Sequence, residues 1–124
     1  MDELLARCAH AGLPIAPASD AAVHAGAASL RRNASQDPVT AREVTLAGRT
    51  AGAADDLRQL SLPRLTRWRR PHRGADPWRT PLPPWGMRLS RLLRDLRRTL
   101  GDRDLTVQWA DDGHTCRLVS VTAR

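Results

Sequence analysis

The hydrophobic positions near the end of the chain follow two different periods, one after the other. Over 86–100 the leucines recur three and four residues apart, which places them on one face of an α-helix; they are Leu89, Leu92, Leu93, Leu96 and Leu100. The Pro83-Pro84 pair prevents a helix from entering from upstream, and Gly101 suits a helix end. The pattern predicts an amphipathic helix over 86–100.

After this helix the apolar positions alternate with polar ones. Single polar residues separate Leu105, Val107 and Trp109, and the alternation resumes at Cys116 after the Asp112-Gly113 pair. A glycine in that pair supplies the positive φ that a tight reversal requires. Because an isolated hairpin is marginally stable in water, we expect 105–121 to form a β-hairpin that packs on the leucine face of the helix.

The first half of the chain predicts short helices. A helix over 2–11 would place Leu4, Leu5 and Cys8 on one side. Asp20 suits the cap of an alanine-rich helix over 20–32, and the capping-box pattern Thr40-Ala-Arg-Glu43 predicts a third helix over 40–60. Ser61 offers the cap of a fourth helix over 62–70.

Prolines then divide the chain. The stretch 71–84 is too rich in proline for regular structure. The expected organisation is therefore an alanine-rich helical region over 1–60, a connector rich in arginine, proline and tryptophan over 61–85, and a basic helix with its hairpin over 86–124. The corresponding fold class is α+β and mainly α, with several short N-terminal helices before the amphipathic helix and the C-terminal β-hairpin.

Charge separates the two halves of the chain. All of its basic residues are arginines, and the formal net charge is +7. Residues 1–62 hold six arginines and seven acids, whereas residues 63–124 hold fourteen arginines and six acids. A strongly basic half indicates an electrostatic partner, most often nucleic acid.

Two groups of arginines are candidates for that contact. On the predicted helix, Arg91, Arg94 and Arg98 lie opposite the leucines, with Arg88 near the helix start, and this face would lie in a major groove. In the connector, arginines flank Trp68; guanidinium groups bind phosphate oxygens in pairs and an indole stacks on bases. The alternative for each group is a solvated surface. The candidate nucleic-acid-binding residues are Arg64, Arg67, Arg69, Arg70, Arg88, Arg91, Arg94 and Arg98.

The segment from Gly86 to Leu96 resembles the recognition helix of winged helix-turn-helix DNA-binding domains. There a glycine precedes the helix and a Ser-Arg-x-Leu-Arg-x-Leu run follows, as it does here from Ser90. The resemblance covers about a third of the chain and implies a winged-helix-like unit with the hairpin over 105–121 as its wing. The chain departs from that pattern upstream, where prolines crowd the approach to the helix, and at the hairpin turn, where Asp111 and Asp112 would repel phosphate.

These observations favour a small basic DNA-binding protein, acting as a transcriptional regulator or a mobile-element accessory protein on duplex DNA. One alternative is a protein-interaction module, in which the leucine stripe binds a partner helix or forms a homodimer and the arginine face meets an acidic protein. Another follows from the absence of Lys, Phe and Tyr, which is typical of a GC-rich overlapping frame whose product has no defined activity.

Catalysis and metal binding find little support in the sequence. It has no glycine-rich phosphate loop and no recognisable nucleophile set, so we expect neither enzyme activity nor a cofactor. Cys8-x-His10 and His114-x-Cys116 could in principle surround zinc, but residues two apart on a helix point in different directions, so no metal site is predicted. Neither a signal peptide nor an apolar membrane span is evident, which predicts a cytoplasmic protein without membrane contact.

Overall fold

The computed structural model describes residues 3–16, 22–43, 58–64 and 82–123. Within these ranges the chain forms two helices and five strands, in the order α1 (Glu3–His10), β1 (His24–Leu30), β2 (Gln36–Glu43), β3 (Arg58–Pro63), α2 (Pro84–Leu100), β4 (Leu105–Asp111) and β5 (Cys116–Ala123). All five strands belong to one antiparallel sheet, ordered β3-β2-β1-β4-β5. Helix α2 packs against β3 and β5, and α1 packs against α2 and β5.

The expectation of a mainly α fold with a winged-helix-like end is wrong, because the described residues form a sheet covered by two helices. The hairpin that was expected to stand as a wing is the β4–β5 edge of this sheet, and β4 pairs with β1 along its other side. Long-range strand pairing, which local periodicity does not report, decides the fold class here.

The alanine-rich segment expected as a helix over 20–32 contains β1, the central strand of the sheet. Strand β1 pairs with both β2 and β4. Ala28 and Leu30 are buried on the helix-covered face, while Ala27 and Ser29 alternate to the other face. Hydrogen bonds to β2 and β4 and the burial of one face of β1 stabilise the strand more than the helix propensity of its alanines favours a helix. Asn33, the residue after that expected helix, adopts a positive φ of 61° between β1 and β2.

The helices expected over 40–60 and 62–70 are also wrong, because the described residues 40–43 and 58–63 lie in strands. Thr40 and Glu43, expected as a capping box, lie in β2, and Leu60 and Leu62 lie in β3. Residues 44–57 and 65–70 fall outside the described residues. Short polar–apolar runs fit both periods, and the pairing of β2 with β3 selects the extended one.

Three elements expected from the sequence are confirmed: α1, α2 and the hairpin of β4 and β5. All five leucines of α2 are buried in the core, so the helix does pack its leucine face on the sheet. Gly113 has the positive φ, 93°, expected at the turn. The hairpin register shifts beside Trp109, and this bulge leaves Val119 as the extra residue of β5.

The outer edge of β5 is partly covered by the chain that follows α1. Leu118 donates its backbone N–H to the carbonyl of Pro14 at 2.9 Å and accepts from the N–H of Ala16 at 2.8 Å. Ile15 thereby forms a parallel bridge with Leu118. This pairing covers part of the sheet edge and ties the N-terminal segment to the C-terminal hairpin.

Candidate polyanion-binding face

Helix α2 is positioned by the core beneath it and by its proline start. Pro83 accepts the backbone N–H groups of Gly86 and Met87, at 2.8 and 3.2 Å, and Pro84 stands where its missing N–H costs nothing. With the leucines buried, the arginines divide between the flanks of the helix and its outer surface. Their surroundings decide which of them can reach a ligand.

Arg88, on one flank of α2, is committed to an internal ion pair. Its Nε and Nη2 donate to the two carboxylate oxygens of Asp111, each at 2.7 Å. Asp111 is fully buried and also accepts the N–H of Gly113 at 2.8 Å. The hydrogen bond to Asp111 raises the pKa of Arg88 despite the opposing effect of burial. This charge is neutralised inside the protein and is not free to bind phosphate.

Arg97, on the other flank, belongs to a second internal network. Its Nη1 donates to Asp37 at 2.7 Å, and the Nε of Arg64 donates to the other oxygen of that carboxylate at 3.2 Å. Burial lowers the pKa of Arg97, and the charge of Asp37 opposes this effect. Asp37 is only 1 % exposed, and its carboxylate binds both arginines. It therefore links α2, through Arg97, to β2 and to the end of β3, through Arg64.

Arg64 extends this network to the loop after α2. Its Nη1 donates to Asp102 at 2.9 Å, and its Nη2 donates to the backbone carbonyl of Arg31. Asp102 also accepts the N–H of Asn33 at 3.0 Å, while Asp104 accepts the N–H of Arg32 at 2.7 Å. The hydrogen bond from Asn33, followed by that from Arg64, lowers the pKa of Asp102. Arg64 is therefore an internal anchor for the turn between β1 and β2.

Arg91, Arg94 and Arg98 point away from the core; we call them the arginine face. The side chains of Arg91 and Arg98 are exposed, and no described acid forms an ion pair with either. Arg94 is partly exposed, and its Nε lies 3.8 Å from Asp95, too far for a hydrogen bond. Its Nε is buried and has no partner among the described residues. The spacing of three and four residues aligns the three guanidinium groups along one side of α2.

The structure thus separates the candidate residues chosen from the sequence. Arg91, Arg94 and Arg98 lie together on the surface of α2, whereas Arg88 and Arg64 are held by aspartates within the fold. Arg67, Arg69 and Arg70 lie outside the described residues, as does Trp68. The arginine face is the part of the expected set that the described residues bring together on one surface.

Sequence reasoning missed the acids that occupy these arginines. A signal for Asp111 was present, because the alternation that buries Val107 and Trp109 puts residue 111 on the same face. Asp37 gave no such signal, since it lies between the two segments expected as helices over 20–32 and 40–60. A buried carboxylate requires a cation nearby, so placing these two aspartates would have identified Arg88 and Arg97 as internal partners.

The side chain of Asp112 accepts hydrogen bonds from the backbone of the hairpin turn. Asp112 Oδ1 accepts the N–H groups of His114 and Thr115, at 2.8 and 2.7 Å. These two hydrogen bonds, first that from Thr115, lower the pKa of Asp112. Asp112 therefore stabilises the hairpin turn that the Asp112-Gly113 pair predicts.

Aromatic rings stack at the end of the sheet where α2 begins. Trp85 lies between His24 and Trp109, with ring centroids 5.6 and 5.2 Å away. Trp85 and Trp109 are buried, so these rings contribute to the core and are not available to stack on bases.

Comparison of the chain with protein-family models, with curated proteins and with solved structures finds no match. No relative therefore bears on the resemblance to winged helix-turn-helix domains. Among the described residues, no group of three or more His, Cys, Asp or Glu side chains is arranged to hold a metal ion. Neither described helix is long and apolar enough to cross a membrane.

Proposed function

We propose that the protein binds nucleic acid, with duplex DNA as the first ligand to test, through the arginine face of α2. The observation that carries the proposal is the contrast within one helix. Aspartates neutralise Arg88 and Arg97, whereas Arg91 and Arg98 are exposed with no ion-pair partner among the described residues. Charge left unpaired on one surface of a chain with a net charge of +7 favours a polyanionic ligand.

The arrangement favours contact with phosphates over readout of bases. The leucine face of α2 is buried against the sheet, so only the outer surface of the helix can meet a ligand. Arginine contacts to phosphates position a protein on DNA without specifying its sequence. Regulation of transcription or assistance to a mobile element would then need sequence information from elsewhere in the chain or from a partner.

A salt titration of binding to a fluorescent duplex tests the proposal. The variant Arg91→Ala/Arg94→Ala/Arg98→Ala should bind more weakly, and the slope of log affinity against log salt should become shallower by about two to three units, because each lost phosphate contact retains its counterions. The matched control is Arg31→Ala/Arg32→Ala/Arg103→Ala, which removes the same charge from exposed loop residues. It should change the slope by less than one unit.

Two results would overturn the proposal. One is an equal loss in both triple variants, which would show that only net charge matters. The other is unchanged binding when the arginine face is removed. Competition with polyglutamate of matched charge tests whether the arginine face binds an acidic protein instead of DNA. If it does, polyglutamate should displace the duplex at a comparable concentration. The leucine stripe itself is buried and is not available to a partner helix in this fold.

A further inference from the structure

The sheet has a second face, which neither of the two described helices covers; we call it the open face. Strand alternation and register arrange its side chains in three rows across the strands. The first row contains Arg42, Ala25, Ala110 and Arg117; the central row contains Gln59, Thr40, Ala27, Gln108 and Ser120; the third row contains Ser61, Pro38, Ser29, Thr106 and Thr122. The central and third rows are uncharged, and shallow grooves of about 430 and 640 Å³ run across this face.

The charged side chains of this face are unevenly distributed. The water-facing side of an antiparallel sheet normally carries polar and charged side chains along its length. Here the two arginines are confined to one row, with Ala25 and Ala110 between them, and the other two rows carry uncharged side chains. Arg117 is also close to an acid of its own chain, with its Nε 4.0 Å from Asp112. A broad surface with uncharged central and third rows can pack against another flat surface without burying charge in those rows.

We propose that the open face binds the open face of a second copy of this chain. The charge distribution supports this occupant, because two copies of a chain with a net charge of +7 repel each other less when they meet through the uncharged central and third rows of this face. The area is also sufficient. Five strands of about seven residues span roughly 24 by 23 Å, or about 550 Å² per copy, so the pair would bury about 1,100 Å² even if flat, above the roughly 1,000 Å² expected of a specific interface.

The positions of the two arginines select one arrangement of the pair. A twofold axis parallel to the strands would bring all four copies of Arg42 and Arg117 to one end of the interface, where like charges repel. A twofold axis along the central row instead places these arginines at opposite ends, where Arg117 meets Thr122 of the second copy. In this arrangement Ala27 faces Ala27 and Gln108 faces Gln108, and the helical layers lie outermost.

Sedimentation velocity of the full chain tests the pairing. The wild type should sediment at twice the chain mass of 13.7 kDa at tens of micromolar. Gln108→Glu alters only the charge of an exposed side chain and sets two carboxylates opposite each other, so dimerisation should weaken at least tenfold; Ala27→Glu should weaken it further. The matched control is Ala6→Glu, on the exposed side of α1, which should leave the dimer intact.

Cross-linking tests the arrangement independently of affinity. Gln108→Cys should link to itself through a bismaleimide spanning about 10 Å, the spacing of packed sheets. Ala25→Cys should link efficiently only when mixed with Ser29→Cys. A wild type that remains monomeric at several hundred micromolar overturns the proposal, as does a dimer that the Gln108 and Ala27 variants leave unchanged. The arginine face lies on the opposite side of the sheet, so a monomeric Gln108→Glu variant should still bind DNA. The dimer proposal can therefore fail without the proposed function failing, and the reverse.

Discussion

Both guanidinium nitrogens that Arg88 directs at Asp111 lie 2.7 Å from a carboxylate oxygen, and this pair ties the first turns of α2 to the end of β4. The carboxylate is fully buried, while the arginine side chain remains 27 % exposed. Removing the cation therefore leaves a buried charge whose one remaining side-chain hydrogen bond among the described residues comes from Gly113. Such a group is costly because neither water nor a counterion replaces the lost partner.

We expect Arg88→Ala to lower the free energy of unfolding by about 3 kcal/mol, measured by urea denaturation at pH 7. Arg91→Ala, one helical turn away and exposed, is the matched control and should change stability by less than about 0.5 kcal/mol. The double variant Arg88→Met/Asp111→Leu should recover much of the loss, because apolar side chains of similar size replace the pair. Equal effects of Arg88→Ala and Arg91→Ala would contradict the structural role assigned to this ion pair.

Gly26 is the second position where one substitution should have a large effect. A Cβ built on Gly26 would lie 1.8 Å from the carbonyl oxygen of Thr40 in the neighbouring strand, so the backbone of β1 or β2 must move to admit it. At Gly86, in the first turn of α2, the nearest atom to such a Cβ is a side-chain carbon of Pro83 at 3.3 Å.

We therefore expect Gly26→Ala to destabilise the fold by several kcal/mol, because alanine would disrupt the central pairing of the sheet. Gly86→Ala should change stability by about 1 kcal/mol or less, since helix propensity gained offsets the contact with Pro83. Thermal unfolding followed by circular dichroism compares the two. A Gly26→Ala protein as stable as Gly86→Ala would show that β1 and β2 do not approach as closely as described.

Both cysteines should be unreactive while the chain is folded. Burial, with a further effect from Asp111, raises the pKa of Cys116 to about 12, and burial also raises the pKa of Cys8. Since the thiolate is the reactive form, both thiols should react with a disulfide reagent at pH 8 at least 100-fold more slowly than in guanidinium chloride. His114→Cys, in the exposed turn, supplies the comparison and should react at the rate of a free thiol. Rapid labelling of the folded wild type would place these thiols outside the core.

The elements that sequence reasoning predicted correctly are those whose period is long and unambiguous. Five leucines spaced over α2 allow only a helix, and the run from Leu105 to Trp109 allows only a strand with its inner face buried. Strand β1 could not be predicted in this way. Its alanines favour a helix in isolation, and only its pairing with β2 and β4 makes it the centre of the sheet.

The same reason explains which candidate arginines were predictable. That Arg91, Arg94 and Arg98 point outward follows from helix geometry and the leucine positions alone. Arg88 and Arg64 form internal ion pairs with Asp111 and Asp37, which lie 23 and 27 positions away in the sequence. Contacts at that separation require the topology of the sheet, which charge patterning along the chain does not contain.

Acid should destabilise the fold in part through Asp112. The N–H groups of Thr115 and His114 lower its pKa in the folded state, whereas in the unfolded chain an aspartate titrates near about 3.9. A depressed folded pKa contributes stability that is present above the unfolded pKa, and that contribution is lost as the pH falls through the lower folded value. The wild type should therefore lose stability as the pH drops from about 4 towards the folded pKa of Asp112.

Asp112→Asn keeps an acceptor oxygen in the turn but cannot titrate, so its unfolding free energy should fall less steeply over this range. Urea denaturation between pH 5 and pH 2.5 compares the two proteins, and parallel curves would show that the hydrogen bonds of the turn do not favour the ionised carboxylate.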